Sequence, residues 1–357
     1  MGMFDEDRDD ELPLSTLPGL THYLKSDISA PKRLTIAQYE ALDVGQRSQY
    51  NRGRLDHLAG NIIIVTPQVR EAREAVGKFI TDNRRLPHDK RPGLILTGDG
   101  TAGKTTTLQS TMLKVYAEHT KTFPQAAQRG RHPIAYIEVP YACTGKSLLE
   151  AFARFFGLTV AARDTQVTLM MRVCEAFRQA KTELIVIDEL QNLSAGNRGS
   201  GESIQVLRQL HSEVLGIFIL CGVNLRESQL FAGPTGRQLS GRFTFQDLQS
   251  FTLADTTAQI HWRGIIRGFE REMPLLAHTV DSLTKHSKAL HCHTAGSIST
   301  LAKIFISSAN TLIRADDPQA ESITLELLLA QPRDKSAMEA GETHRPLKPA
   351  SKKANPS

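Results

Sequence analysis

The chain has 357 residues, a formal net charge of +5 and 40% hydrophobic residues, enough for one large domain with extensions or two compact domains. No apolar run approaches the roughly 20 residues that span a bilayer, and the acidic start lacks the basic segment and apolar centre of a secretion signal. Composition therefore excludes a helical membrane protein and predicts a cytoplasmic one with no membrane partner.

Cys143, Cys174, Cys221 and Cys292 lie far apart without a C-x-x-C pair, which predicts reduced, mostly buried thiols. The basic excess predicts an anionic partner. Basic clusters occur at Arg70/Arg73, Arg84/Arg85/Lys90/Arg91 and Arg129/Arg131, and each reads first as solvated surface.

Residues 1–33 mix acids and prolines with few apolar residues and are expected as an extended or disordered arm. Residues 34–92 read as a helical prelude. In it Tyr39, Leu42, Leu55 and Leu58 are spaced among charges, and Asn61–Pro67 is a β-branched run halted by proline. Gln68–Asn83 then reads as an amphipathic helix.

Gly93–Thr97 is a short apolar run fit for a buried parallel strand, and Gly98-Asp99-Gly100-Thr101-Ala102-Gly103-Lys104-Thr105 follows it as G-x-x-x-x-G-K-[ST]. Leu108, Met112 and Val115 mark one face of the next helix. Strand, glycine loop and helix stand in the order a phosphate-binding loop requires, with successive N–H groups forming an anion nest at a helix N-terminus. Residues Gly98 to Thr106, Thr106 included, are the candidate ATP contacts. Lys104 is expected to reach the β- and γ-phosphates, and the Thr105 hydroxyl to ligate Mg²⁺.

Ile134–Val139 reads as a strand, and Ser147–Phe156 and Gln166–Ala180 as helices whose apolar stripes are core. Leu184-Ile185-Val186-Ile187 is a buried parallel strand ending in Asp188-Glu189. Ligands of such sheets bind at the carboxyl ends of the strands. Asp188 is accordingly a candidate to hold Mg²⁺ through water, and Glu189 to polarise the attacking water.

Glu202–Val214 reads as a helix and Gly216–Cys221 as a strand. Asn224, just beyond it, is a candidate sensor of the γ-phosphate or an ordinary loop asparagine. Arg242 is placed to act as an arginine finger on a neighbouring subunit, with Arg237 the lesser candidate and a surface arginine the alternative. Phe251-Thr252-Leu253 is expected as the last strand. Residues 255–330 read as a helical lid. His286, His291, Cys292 and His293 have no standard zinc spacing. Residues 331–357 are expected to be disordered.

Phosphate loop, Asp-Glu strand end, polar residue after the next strand, arginine before the last strand and helical lid together resemble the AAA+ ATPase layout. That resemblance implies an α/β fold: a P-loop three-layer sandwich with a parallel sheet (core at 93–254) followed by a small all-helical lid. It also implies that the acid-bearing strand is not adjacent to the phosphate-loop strand, and that Glu189 is the catalytic carboxylate. His57 and Ile64-Val65-Thr66-Pro67 before a basic amphipathic helix are similar to the TniB/TnsC transposition regulators. Membership in that group implies a slow, assembly-dependent ATPase that forms a ring or filament on double-stranded DNA and links it to a transposase and a target-selection protein. It makes Thr144 and Lys146 candidate DNA-backbone contacts. Many AAA+ lids carry G-x-x-R, whereas this lid reads Gly296-Ser297-Ile298-Ser299. The competing readings are a protein-directed ATPase switch that does not touch DNA and a small-molecule phosphotransferase.

Overall fold

The computed structural model describes residues 12–26, 29–60, 62–83, 91–193, 200–232 and 234–332. In chain order the helices α1 (Leu17–Lys25), α2 (Ile36–Glu40), α3 (Val44–Gly60) and α4 (Pro67–Asn83) precede β1 (Gly93–Gly98) and α5 (Lys104–Thr122). They are followed by β2 (Ile134–Glu138), α6 (Gly145–Phe155), α7 (Gln166–Ala180), β3 (Leu184–Asp188), α8 (Ser200–Glu213), β4 (Ile217–Gly222), α9 (Pro234–Ser240) and β5 (Phe243–Leu248). Helices α10 (Thr256–Glu272), α11 (Ser287–Thr294), α12 (Ile298–Ala315) and α13 (Leu325–Ala330) close the described chain. No helix among the described residues is long and apolar enough to cross a membrane.

The chain divides into two compact units, Met1–Asp27 with Val65–Gln249 and Ile28–Ile64 with Ser250–Ser357. The first is a three-layer α/β sandwich around a five-stranded parallel sheet in the order β2-β3-β4-β1-β5. β4 therefore separates the phosphate-loop strand from the acid-bearing one. Helices cover both faces, so β3 and β4 carry continuous apolar runs and are buried at every position. From α6 and α7, Phe152, Phe155 and Phe177 pack into this core, with the Phe152 and Phe177 rings edge to face at 5.3 Å.

Three segments differ from the sequence reading. Within the expected N-terminal arm lies α1, capped by Thr16, with Leu20 and Leu24 buried in the core of the first unit; residues 1–11 lie outside the described ones. Ile62–Thr66 forms no strand, because it has no ladder partner and places Ile64 in the core of the second unit instead. The last strand is Phe243–Leu248 rather than Phe251–Leu253. Phe243, Gln246 and Leu248 face inward from β5, whereas Phe251 and Leu253 pack against the helical unit.

In the second unit, Leu58 and Ile64 from the prelude join Trp262, Phe269, Leu301 and Phe305 in one core. Arg54, fully buried, donates to Glu321 Oε2 at 2.5 Å and Oε1 at 3.0 Å and to the Pro274 carbonyl at 3.1 Å. Glu321 also accepts the Leu276 N–H at 3.0 Å. This pair ties residues 28–64 to the C-terminal helices, so the prelude is shared between the units. Gly296 turns the chain between α11 and α12 at φ 71°, where an added Cβ would lie 1.9 Å from the Phe251 carbonyl oxygen, and Ser297 caps α12. His291 is held by the Phe251 carbonyl at 2.7 Å and packs edge to face on Trp262.

His211 of α8 is buried against the rings of Phe218 and Phe243, and neither ring nitrogen has a hydrogen-bond partner among the described residues. Burial, then the charges of Arg242 and Arg91, push its pKa from 6.5 down to about 4. The folded state keeps the imidazole neutral where the unfolded chain binds a proton, so this site's stability is complete above pH 6.5 and is lost as pH falls toward 4. Between pH 7.5 and 5 the native protein should lose about 2 kcal/mol more than His211→Phe, read from urea midpoints at the two pH values.

Candidate nucleotide site

The phosphate loop leaves β1 at Gly98, whose φ is 154° and where an added Cβ would lie 2.3 Å from the Leu248 carbonyl oxygen at the end of β5. The Ala102 N–H closes a turn on the Asp99 carbonyl at 3.1 Å. Gly103, in the left-handed region, then starts α5 with no side-chain cap. The N–H groups of the first turn, Lys104 to Thr106, are thus left without a capping side chain. Such an uncapped N-terminus favours an anion. Lys104 is buried and folds over the loop, its ammonium donating to the Gly98 and Asp99 carbonyls at 3.1 and 2.8 Å. Thr105 is exposed.

Asp188 ends β3, buried. Its Oδ1 accepts the Glu189 N–H at 2.8 Å and its Oδ2 the Tyr136 hydroxyl of β2 at 3.2 Å. Cys221 of β4 lies within the field of the same carboxylate. Burial, then Asp188, raises both Tyr136 and Cys221 above their ordinary titration ranges, so both remain protonated and the Tyr136 hydroxyl holds the carboxylate as a donor. Glu189 follows at φ 57°, a conformation that costs a non-glycine residue about 1–3 kcal/mol and is typical of functional turns.

The turn is fixed on both sides. Gln191 donates Nε2 to the Glu189 carboxylate and accepts the Val223 N–H at 3.0 Å, while Asn192 donates to the Val139 carbonyl at 2.8 Å. Asn224 is exposed, at φ 49°, between Val223 and Leu225, and the Leu225 N–H donates to Thr97 Oγ1 of β1 at 2.8 Å. The loop, Asp188, Glu189 and Asn224 thus meet at the C-terminal edge of β1, β4 and β3. Tyr136, Thr97 and Gln191 are the members sequence reasoning missed; the only available signal was the position of Gln191 two residues after an Asp-Glu pair.

Arg242 lies at the opposite edge, where its carbonyl accepts the Gly93 N–H at 3.2 Å. One strand length of about 17–20 Å separates that edge from its own phosphate loop. Its guanidinium is half-buried, with Nη1 enclosed and without a hydrogen-bond partner among the described residues. Arg237 is exposed on α9 and donates to the Ala232 carbonyl at 2.9 Å. Thr144 caps α6 through the Ser147 N–H at 3.2 Å, and Lys146 lies 3.9 Å from Glu150. The loop before them exposes Tyr141 at 80% and turns through Ala142 at φ 53°.

The sequence profile of the family of bacterial TniB proteins matches residues 54–253, more than half of the chain. The chain belongs to the TniB family. No curated protein matches this TniB-family chain in sequence. Among solved structures it is similar to the Aeropyrum pernix ORC1 protein in complex with DNA, at 14% identity over 81% of this chain and 68% of that one, with a TM-score of 0.54. The Aeropyrum pernix ORC2 protein in its ADP form is 16% identical over 80% and 71%, also at 0.54. Cdc6p from Pyrobaculum aerophilum is 14% identical over 77% and 73%, at 0.50. At such identities the likeness is one of fold: the chain is a TniB-family protein with the three-layer α/β fold of these structures.

Gly98→Ala should destabilise the first unit by about 1–3 kcal/mol, because neither φ nor the Leu248 carbonyl can give. Gly100→Ala, where nothing lies within 4 Å of an added Cβ, should change stability by less than about 0.5 kcal/mol in the same denaturation measurement.

Proposed function

We propose that this protein is an ATP-hydrolysing regulator of DNA transposition. It assembles on duplex DNA with Mg²⁺ and ATP, connects that DNA to a transposase and a target-selection protein, and uses hydrolysis to time disassembly. One observation carries the reading: a G-x-x-x-x-G-K-T loop and an Asp-Glu strand end meet across one intervening strand in a TniB-family chain. Similar folds include an ORC1 protein in complex with DNA and an ORC2 protein in its ADP form, which supports nucleotide and DNA as the ligands to test first.

Mg²⁺–ATP supplies the scissile phosphoanhydride and a cation that neutralises charge on the transferring group. The chain supplies position. Lys104 exchanges its two carbonyl partners for the β- and γ-phosphates, and the uncapped N–H groups from Lys104 to Thr106 face the phosphate oxygens. The exposed Thr105 hydroxyl would ligate the cation, and the carboxylate of Asp188 would hold it through water. Glu189 orients a water and takes its proton, and Asn224 orients the γ-phosphate and that water.

An arginine at the far edge of β5 cannot reach its own loop, so it acts on a neighbouring subunit and activity requires assembly. Exposure supports Arg237 for that reach, with the half-buried Arg242 shaping the edge beneath it. Thr144 and Lys146 contact the DNA backbone at the start of α6, giving sequence-tolerant, salt-sensitive binding.

Lys104→Ala should abolish ATP binding, whereas Glu189→Gln should bind ATP normally and lose turnover by about 100-fold or more. The deciding measurement is anisotropy of a fluorescent random-sequence duplex at two salt concentrations. Tight, cooperative, salt-sensitive binding with Mg²⁺ and a non-hydrolysable ATP analogue, and weak binding with ADP, supports the assignment. Absence of binding in both states overturns the DNA reading and leaves a protein-directed ATPase switch.

A further inference from the structure

The carboxylate of Glu189 is not held by its own turn alone. Gln191 spends its amide N–H on Glu189 and its amide oxygen on the Val223 N–H at 3.0 Å, one residue before Asn224. β4 ends in Gly222 at the point where this carboxamide lies. An added Cβ there would fall 2.4 Å from Gln191 Oε1, so the glycine leaves the space the carboxamide fills. The Leu225 N–H then reaches Thr97 Oγ1 on β1 at 2.8 Å. A hydrogen-bonded bridge thus runs from the end of β3 over the end of β4 to the end of β1, and Gln191 is its only side chain with one bond to Glu189 and another to the 223–225 segment among the described residues.

We propose that Gln191 is a positioning residue for hydrolysis: it holds the Glu189 carboxylate over the end of β4 and ties it to the segment that carries Asn224. A glutamate with free χ angles at a left-handed turn occupies several rotamers. The two bonds of one planar carboxamide select one of these rotamers and make it depend on the place of Val223. Positioning of a catalytic base within fractions of an ångström is a large part of its effect. The inference rests on the proposed role of Glu189.

Four variants of the full chain separate the possibilities, with two readouts: ATP turnover on duplex DNA, and hydrogen exchange at the Val223 amide in the nucleotide-free protein. Gln191→Ala should lower kcat about tenfold or more while KM for ATP stays within about twofold, and should speed exchange at Val223. Gln191→Glu keeps an acceptor for Val223 but loses the donor to Glu189, so exchange should stay slow while kcat falls. Gly222→Ala, which displaces the carboxamide from the other side, should reproduce Gln191→Ala. In a Glu189→Gln background, Gln191→Ala should have no additional effect on turnover, since both act through one group.

Native kcat in Gln191→Glu, or unchanged exchange at Val223 in Gln191→Ala, overturns the positioning role. If instead Glu189→Gln retains native turnover, or the native chain hydrolyses no ATP, the proposed function fails and this inference fails with it.

Discussion

The interposition of β4 between β1 and β3 is the constraint on which the site depends. Two inter-strand spacings put the acid-bearing end about 10 Å from the glycine-loop end. Lys104 bonds the Gly98 and Asp99 carbonyls rather than Asp188, and the span is wide enough for a phosphate group and a cation to lie between the two side chains. The middle strand must then end without bulk, and it does so in Gly222. Polar groups flank the opening because the backbone there leaves the ladder and needs new partners. Gln191 and Thr97 supply them, accepting the Val223 and Leu225 N–H groups.

A second constraint acts in the helical unit. Arg54 and Glu321 are both at 0% exposure, and removing one partner of such a pair leaves an uncompensated charge at a cost of about 3–5 kcal/mol. Bonds to Pro274, Asn51 and Leu276 satisfy the remaining donors and acceptors except Arg54 Nε. The pair thus specifies which segment joins the C-terminal helices more than it adds stability. Apolar matching alone would let residues 28–64 pack against many surfaces; a buried charge accepts only its complement.

What could be read from the sequence was what local chemistry dictates. The β1–loop–α5 unit, the buried β3 ending in two acids and the bounds of α7 at Gln166–Ala180 follow from glycine spacing, apolar runs and a Thr165 cap. β5 was misplaced because Phe243–Leu248 alternates with polar residues as an edge strand does, while Phe251-Thr252-Leu253 has the stronger short-range strand chemistry and is claimed by the other unit. α1 was hidden among prolines and acids, its buried face consisting of little more than Leu20 and Leu24. The partners of Asp188 could not be read at all. Tyr136 and Cys221 sit on different strands, 85 residues apart, and only the strand order brings them to one carboxylate.

The turn after β3 also binds the loop after β2. Val139 donates to the Asp188 carbonyl at 2.9 Å, Asn192 donates to the Val139 carbonyl at 2.8 Å, and the Cys143 N–H reaches the Asn192 carbonyl at 3.3 Å. Thr144 follows directly and caps α6. The residues proposed to touch DNA are therefore fixed, through backbone bonds, to the turn that carries Glu189, and Gln191 fixes that turn to the segment carrying Asn224. A displacement of this turn cannot leave either neighbour in place without breaking bonds. Under the proposed function, DNA and nucleotide then bias the same element, and linkage is reciprocal: the factor by which the nucleotide state alters affinity for DNA is the factor by which DNA alters affinity for nucleotide. A timer of assembly needs that reciprocity, because release from DNA must follow from the loss of the γ-phosphate rather than from dissociation of the nucleotide.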